Sequence, residues 1–175
     1  MTAVRARGAA LAVLAAALVL ATSAARAGAV ESVGPAARGL ADSRLYVDPA
    51  VAGTVDTATR TRIAFNLARR REAVYVALVP FAPGDAFDGD GPRFLTALAG
   101  RLQRPGIYVT YDARGILWTR AYRTASAIDD HARHAADVTA AEGTYNSPPG
   151  PRIESFLAAV DESDAQLTAR ERRAA

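Results

Sequence analysis

The sequence predicts an α/β fold, specifically a three-layer α/β/α sandwich. Its sheet is expected to be mostly parallel with an antiparallel hairpin at one edge, and two extra helices are expected at the C-terminal end. Strand-like and helix-like runs alternate along residues 44–121, which is typical of parallel strands joined by right-handed helical crossovers. Residues 73–81 (AVYVALVPF) are apolar at almost every position, as expected of a central strand covered on both faces.

The first crossover is predicted from a short strand, a turn and a helix. Residues 44–47 (RLYV) are the strand candidate. Asp48 and Pro49 follow as a helix-start signal, because aspartate caps free amides and proline suits the first helical position. The small turn that they open ends at Gly53, and apolar side chains at helical spacing then predict a longer helix over residues 56–71.

A loop, a second helix and a hairpin follow the central strand. Residues 82–91 are rich in Gly, Pro and Asp, and Pro92 opens a helix whose apolar side chains recur every three or four positions. Residues 107–111 and 115–121 are strand candidates separated by a short turn at residues 112–114, which predicts an antiparallel hairpin.

Two further helices are predicted after the hairpin. Ser126 and Asp129 have the spacing of a capping box, which predicts a helix from Ser126 to about Val138. Residues 142–150 are rich in turn-forming residues, and Pro151 begins the last helix. Arginines near the end of that helix suit the negative end of its dipole.

The N-terminal segment has the pattern of a secretory signal peptide. Arg5 and Arg7 precede an uncharged apolar run over residues 8–21, and Ala25-Arg26-Ala27 places small residues at a cleavage site after Ala27. The alternative is a membrane anchor formed by the same segment if it stays uncleaved. The predicted organisation is a signal peptide (1–27), a flexible lead-in (28–42), an α/β domain (43–123) and a helical extension packed on that domain (124–175).

Charge and composition exclude some classes of function. The full chain has 21 basic and 18 acidic residues, but removal of the three arginines in residues 1–27 leaves 18 of each sign. A neutral mature chain lacks the basic footprint of a nucleic-acid binder. Because the sequence has no cysteine, it has neither disulfides nor a lipidated cysteine anchor. No apolar run after cleavage is long enough to span a membrane stably.

Acidic residues follow each of the three predicted parallel strands, where ligands bind in open α/β sheets. Their carboxylates are hard oxygen ligands, which suit Ca²⁺ or Mg²⁺. The alternative is a set of solvated Gly/Asp turns in which Asp48 and Asp90 act as helix caps. The residues of this candidate cation edge are Asp48, Asp85, Asp88, Asp90 and Asp112.

Other chemical motifs are weak. His131 and His134 lie one turn apart on a predicted helix, but zinc needs three or four converging ligands and the sequence has no other histidine. The face that His131 shares with apolar residues favours a half-buried structural role. No serine occupies a nucleophile elbow and no glycine-rich phosphate loop opens either crossover helix, so neither a catalytic residue nor a cofactor-binding residue is assigned.

The order of these segments resembles the TPM domain family of secreted and membrane-tethered bacterial envelope proteins. The resemblance covers residues 40–125 and rests on a Tyr-Val-Asp-Pro segment at residues 46–49, the strand at residues 74–80, and the GIYVTY strand at residues 106–111 with its hairpin partner. It implies an α/β/α sandwich outside the cytoplasm. Phosphatase activity, cation binding and assembly roles are attributed to members of that family.

Two hypotheses of function follow. The first is a secreted, non-enzymatic module that binds a partner protein in the cell envelope. The alternative is a cation-dependent phosphohydrolase, in which a metal ion on the aspartate edge would clamp phosphate oxygens and activate water.

Overall fold

A four-stranded mixed sheet forms the middle layer of the protein. The computed structural model describes residues 32–81, 84–112, 115–143 and 147–174, so the predicted signal peptide lies outside the described residues. The strands lie in the order β1-β2-β3-β4; β1–β2 and β2–β3 are parallel, and β3–β4 is antiparallel. Their bounds are β1 Leu45–Val47, β2 Val74–Leu78, β3 Gly106–Tyr111 and β4 Leu117–Tyr122.

Helices cover both faces of this sheet, which confirms the predicted fold class. Residues 32–42 form α1, and a 3₁₀ helix over Pro49–Thr54 follows β1. The first crossover helix leads into β2 and the second leads into β3, while three helices come after the hairpin. They are α2 Thr57–Arg69, α3 Gly91–Leu102, α4 Ser126–Glu142, α5 Pro149–Val160 and α6 Asp164–Ala174.

The two faces of β2 point into two separate hydrophobic cores. Val74 and Val76 lie in one core with side chains of α2, α4, α5 and α6. Tyr75 and Ala77 lie in the other with side chains of α1 and α3. Because successive strand residues point to opposite faces, a strand buried on both sides must be apolar at every position, as β2 is. Among the described helices, none has both the length and the apolar character needed to cross a membrane.

The prediction of a flexible lead-in is wrong for residues 32–42, which are helical. Ala36, Ala37 and Leu40 of this helix are buried. Gly39 lets the helix approach β1, because a Cβ there would lie only 2.4 Å from the Tyr46 ring. The buried face consists mostly of alanine, so its helical periodicity is faint in the sequence.

The predicted capping box at Ser126 and Asp129 is also wrong. Ala125 is the N-cap of α4 and provides no side-chain hydrogen bond. Asp129 instead accepts a hydrogen bond from the Ala121 backbone N–H at 2.9 Å, which ties the first turn of α4 to β4.

One half of a capping box occurs further along the chain, at a helix start that the sequence did not reveal. The helix predicted from Pro151 onward divides into α5 and α6 at residues 161–163. The Gln166 side chain accepts from the Ser163 backbone N–H at 2.8 Å and from its hydroxyl at 2.9 Å. This pair begins α6 as a new helix.

Candidate functional site

A cleft of about 350 Å³ opens at the carboxyl edge of the sheet. This is the edge at which parallel α/β sheets bind ligands, because loops diverge there from the ends of neighbouring strands. The walls come from the 3₁₀ helix, the ends of β2 and β3, and the start of α5. The lining residues are Val51, Thr54, Leu78, Val79, Pro80, Phe81, Tyr111, Asp112 and Pro149.

Packing beneath the cleft holds its aromatic walls in place. Phe81 is 8 % exposed and packs edge-on against Phe94 of α3, with 5.4 Å between the ring centroids. The Tyr111 hydroxyl donates to the Ser147 carbonyl at 2.7 Å, which joins the end of β3 to the segment before α5. The cleft is therefore supported by contacts distant in the sequence.

Tyr111 presents a neutral hydroxyl at physiological pH. Burial raises the pKa of this phenol above its ordinary value, and nearby Asp112 adds to the rise. The Arg152 guanidinium opposes it. Because the ordinary value is already 10.0, the phenolate is not populated near neutral pH.

Asp112 lies at the end of β3 and is only 3 % exposed. One carboxylate oxygen accepts from the Ile116 backbone N–H at 2.9 Å, and the other accepts from Trp118 Nε1 at 3.2 Å. The indole lies against Gly91, where a Cβ would come within 2.2 Å of the ring. Asp112 thus links the β3–β4 turn to the start of α3.

The other predicted carboxylates bond within their own loops. Asp48 accepts from the Ala50 N–H at 2.9 Å, and Asp90 accepts from the Arg93 N–H at 2.9 Å, which confirms the cap roles considered for both. Asp85 accepts from the N–H groups of residues 87 and 89, and Asp88 accepts from the N–H of residue 84. These contacts shape the loops after β1 and β2.

Within the described ranges, no group of three or more His, Asp or Glu side chains is arranged to hold a metal ion. This finding gives the predicted cation edge no support, and a cation site at Asp48, Asp85, Asp88, Asp90 and Asp112 stays a prediction.

His131 has a structural role, as its apolar face indicated. Its Nδ1 lies 2.7 Å from an Asp164 carboxylate oxygen, and its Nε2 lies 3.1 Å from the Val160 carbonyl oxygen. His134 faces Glu171 at 3.6 Å. The two histidines thus contact separate acidic residues of α6.

A larger groove of about 550 Å³ lies at the opposite edge, between α2 and α5. The Arg70 side chain is part of its lining and makes two hydrogen bonds to the Asp161 carboxylate, at 2.6 and 2.7 Å, and a third to the Leu157 carbonyl. Six of the ten lining residues are charged, and one of them, Arg70, is already paired with Asp161, so we consider the smaller and mostly apolar cleft the better site for an apolar ligand.

Of the residues predicted at the carboxyl edge, Asp112 lines the cleft, whereas the apolar residues of its walls were not predicted. Phe81, Tyr111 and Pro149 were not singled out as site residues. Tyr111 had one usable signal, because it is the last residue of a strand that runs parallel to its neighbour.

No protein-family model, no curated protein and no solved structure matches this chain. The resemblance to the TPM domain family stays a prediction.

Proposed function

We propose that this protein is a non-enzymatic binding module of the cell envelope, and that its carboxyl-edge cleft receives an apolar side chain of a partner protein. The observation that carries the proposal is the cleft itself. Its volume lies in the range of ligand pockets, and its walls are mostly aliphatic, aromatic and proline side chains. Burial of one such side chain of the partner contributes about 1.5–3 kcal/mol to binding.

The polar groups of the cleft support binding rather than catalysis. Thr54 donates its hydroxyl proton to the Val51 carbonyl at 2.7 Å, while Tyr111 donates to Ser147. Asp112 accepts from the backbone and from Trp118. A nucleophile requires an adjacent general base, whereas the hydrogen bonds of these groups hold the segments of the cleft wall together.

Export is part of the proposal and rests on the pattern of residues 1–27. We expect N-terminal sequencing of the protein from the culture medium or envelope to begin at Gly28. A membrane-bound product that retains residues 1–27 would instead identify this segment as an anchor.

Binding is tested with N-acetyl-leucinamide, a blocked apolar amino acid, by NMR titration of backbone amides. We expect shifts to concentrate at the cleft and to disappear in Val51→Glu, which places a charge in its wall. Ala58→Glu, at an exposed position of α2, is the matched control. Shifts spread over the surface, or unchanged in Val51→Glu, would contradict the proposal.

The phosphohydrolase alternative is tested separately with p-nitrophenyl phosphate and Mg²⁺ or Ca²⁺. The predicted carboxylates accept hydrogen bonds from backbone N–H groups of their own loops, which favours the binding module over the phosphohydrolase. Metal-dependent hydrolysis that is lost in Asp48→Asn would overturn the non-enzymatic proposal.

A further inference from the structure

The C-terminal helix α6 has little apolar contact with the rest of the protein. Leu167 is the one buried residue of Asp164–Ala174. It enters the core shared with α4 and α5. Because a single apolar side chain buries little surface, this helix depends on polar contacts to stay docked against the rest of the protein.

Charged side chains make those polar contacts. Arg170 of α6 binds Glu142 at the end of α4 through two nitrogens, one of them at 2.8 Å. It also binds Glu162 in the connection to α5, at 2.6 Å. The Arg170 side chain is only 16 % exposed, so these pairs are less screened than pairs on the open surface.

His131 of α4 forms the contact that changes with protonation. One ring nitrogen faces the Asp164 carboxylate of α6 and the other faces the Val160 carbonyl of α5. A neutral imidazole has one N–H donor, whereas an imidazolium has two. Only the protonated ring can therefore donate to both acceptors.

The pKa shifts agree with this geometry. The hydrogen bond to Asp164 is the largest cause that raises the pKa of His131 above 6.5, whereas burial opposes it. The hydrogen bond from Arg170 is the largest cause that lowers the pKa of Glu142 below 4.5. The His131 contribution is fully present below pH 6.5 and is lost as the pH rises through its raised pKa. The Glu142 contribution is present above pH 4.5 and is lost as the pH falls through its lowered pKa.

Both contributions are therefore present together between about pH 4.5 and 6.5. Other charged groups lie on the elements that meet at His131, namely α6, the α5–α6 connection and α4 itself. They include Asp164, Arg170 and Glu171; Asp161 and Glu162; and Asp130, Arg133 and His134.

We propose that α6 is a reversible strap, which docks most tightly in mildly acidic solution and loosens as the pH rises through neutrality while the sheet beneath it stays folded. The proposal is independent of the cleft and of its ligand. It assigns a regulatory role to the acid–histidine contact between α4 and α6.

Hydrogen exchange of the purified protein, measured by mass spectrometry from pH 5.5 to 8.5 and corrected for intrinsic rates, tests the strap. We expect the protection of residues 164–174 to fall severalfold over this range, while the protection of residues 74–78 in β2 stays constant. His131→Gln should strongly reduce the pH dependence in α6, because glutamine does not titrate and only the second contact, between His134 and Glu171, keeps a histidine.

Two more variants keep the test decisive. Asp164→Asn changes a side chain that is 77 % exposed, so the variant should fold and should show a reduced slope with pH. Arg133→Gln should keep the parent's slope, because the ion pairs of Arg133 stay within α4. A flat profile in the parent, an unchanged slope in His131→Gln, or parallel loss of protection in β2 would overturn the proposal.

Discussion

The two edges of the sheet use charged side chains in different ways. At the carboxyl edge, Asp48, Asp85 and Asp90 accept hydrogen bonds from backbone amides within four residues of themselves. At the opposite edge, where the parallel strands begin and which we call the amino edge, Arg70 binds Asp161, which is 91 residues away in the sequence. Apart from Asp112, which also accepts from Trp118 of β4, these charges at the first edge shape single loops, whereas charge at the second joins different helices.

This difference explains why the apolar cleft lies at the carboxyl edge. Carboxylates that fold back onto their own loops leave the wall between the loops to Phe81, Tyr111 and Pro149. At the amino edge, Arg44 donates to the carbonyls of Leu67 and Arg70 at 2.7 and 3.1 Å. These bonds satisfy the end of α2, where carbonyls lack helical partners. The carboxyl edge thus keeps an apolar wall, whereas charged side chains at the amino edge join the layers of the protein.

The largest expected effect comes from breaking the strand that connects the two edges. Val76 is fully buried and pairs with Leu45 on one side and Val109 on the other. Val76→Asp places an unpaired carboxylate in the core and should cost more than about 4 kcal/mol, a large part of the roughly 5–15 kcal/mol stability of a typical domain. Urea denaturation measures the loss.

Phe65→Asp is the control for this substitution. Phe65 is 58 % exposed on α2, so the same aspartate should change stability by less than about 1 kcal/mol. Similar losses in the two variants would show that burial does not decide the effect.

The next largest effect is expected from the long-range ion pair at the amino edge. The Arg70 side chain is 9 % exposed, and Arg70→Met removes its bonds to Asp161 and the Leu157 carbonyl. We expect a loss of about 2 kcal/mol, since Asp161 is 65 % exposed and water can solvate it after the change.

A double-mutant cycle sharpens this prediction. Asp161→Asn should cost less than Arg70→Met, and the double variant should cost little more than Arg70→Met alone. Additive losses would show that the two side chains do not interact energetically and would remove the distinction between the two edges.

Much of the fold could be predicted because its signals are local. The apolar run of residues 73–81 identified β2, and Asp48 and Asp90 were recognised as caps because a cap bonds only two or three residues away. The helix at residues 32–42 was missed because Ala36 and Ala37 give a weak hydrophobic stripe. Its fit on Tyr46 depends on Gly39, a close approach that only the tertiary structure shows.

The candidate site was predicted less completely, because its walls are formed by tertiary contacts that leave no local signal in the sequence. Its edge follows from strand direction, which the alternation of strands and helices indicates. Its walls do not, because Phe81, Tyr111 and Pro149 belong to three separate segments that tertiary packing brings together. Likewise, nothing local indicates that Asp112 binds the indole of Trp118 or that Arg70 binds Asp161.

A smaller effect is expected when one local bond at the carboxyl edge is removed. Asp90 caps α3 through its bond to the Arg93 N–H, so Asp90→Ala should cost about 1 kcal/mol. Asp90→Asn keeps the accepting oxygen and should cost only a few tenths of that amount. Equal losses in urea denaturation would mean that the negative charge, rather than the cap, stabilises this end of α3.

The smallest effect is expected when Asp85, Asp88 and Asp90 are all replaced by asparagine. Each amide keeps an oxygen that can accept the loop hydrogen bonds, so stability should fall by less than about 1 kcal/mol. For the parent and for the variant alike, the thermal midpoint in millimolar Ca²⁺ should equal the midpoint of the same protein in EDTA. A real cation site predicts the opposite, because calcium at 100 times its dissociation constant adds about 2.7 kcal/mol and raises the midpoint by roughly 5–10 °C. A calcium-dependent rise in the parent that the triple variant lacks would show that these carboxylates act together on a ligand, and the charges of these three residues would then no longer act only within their own loop.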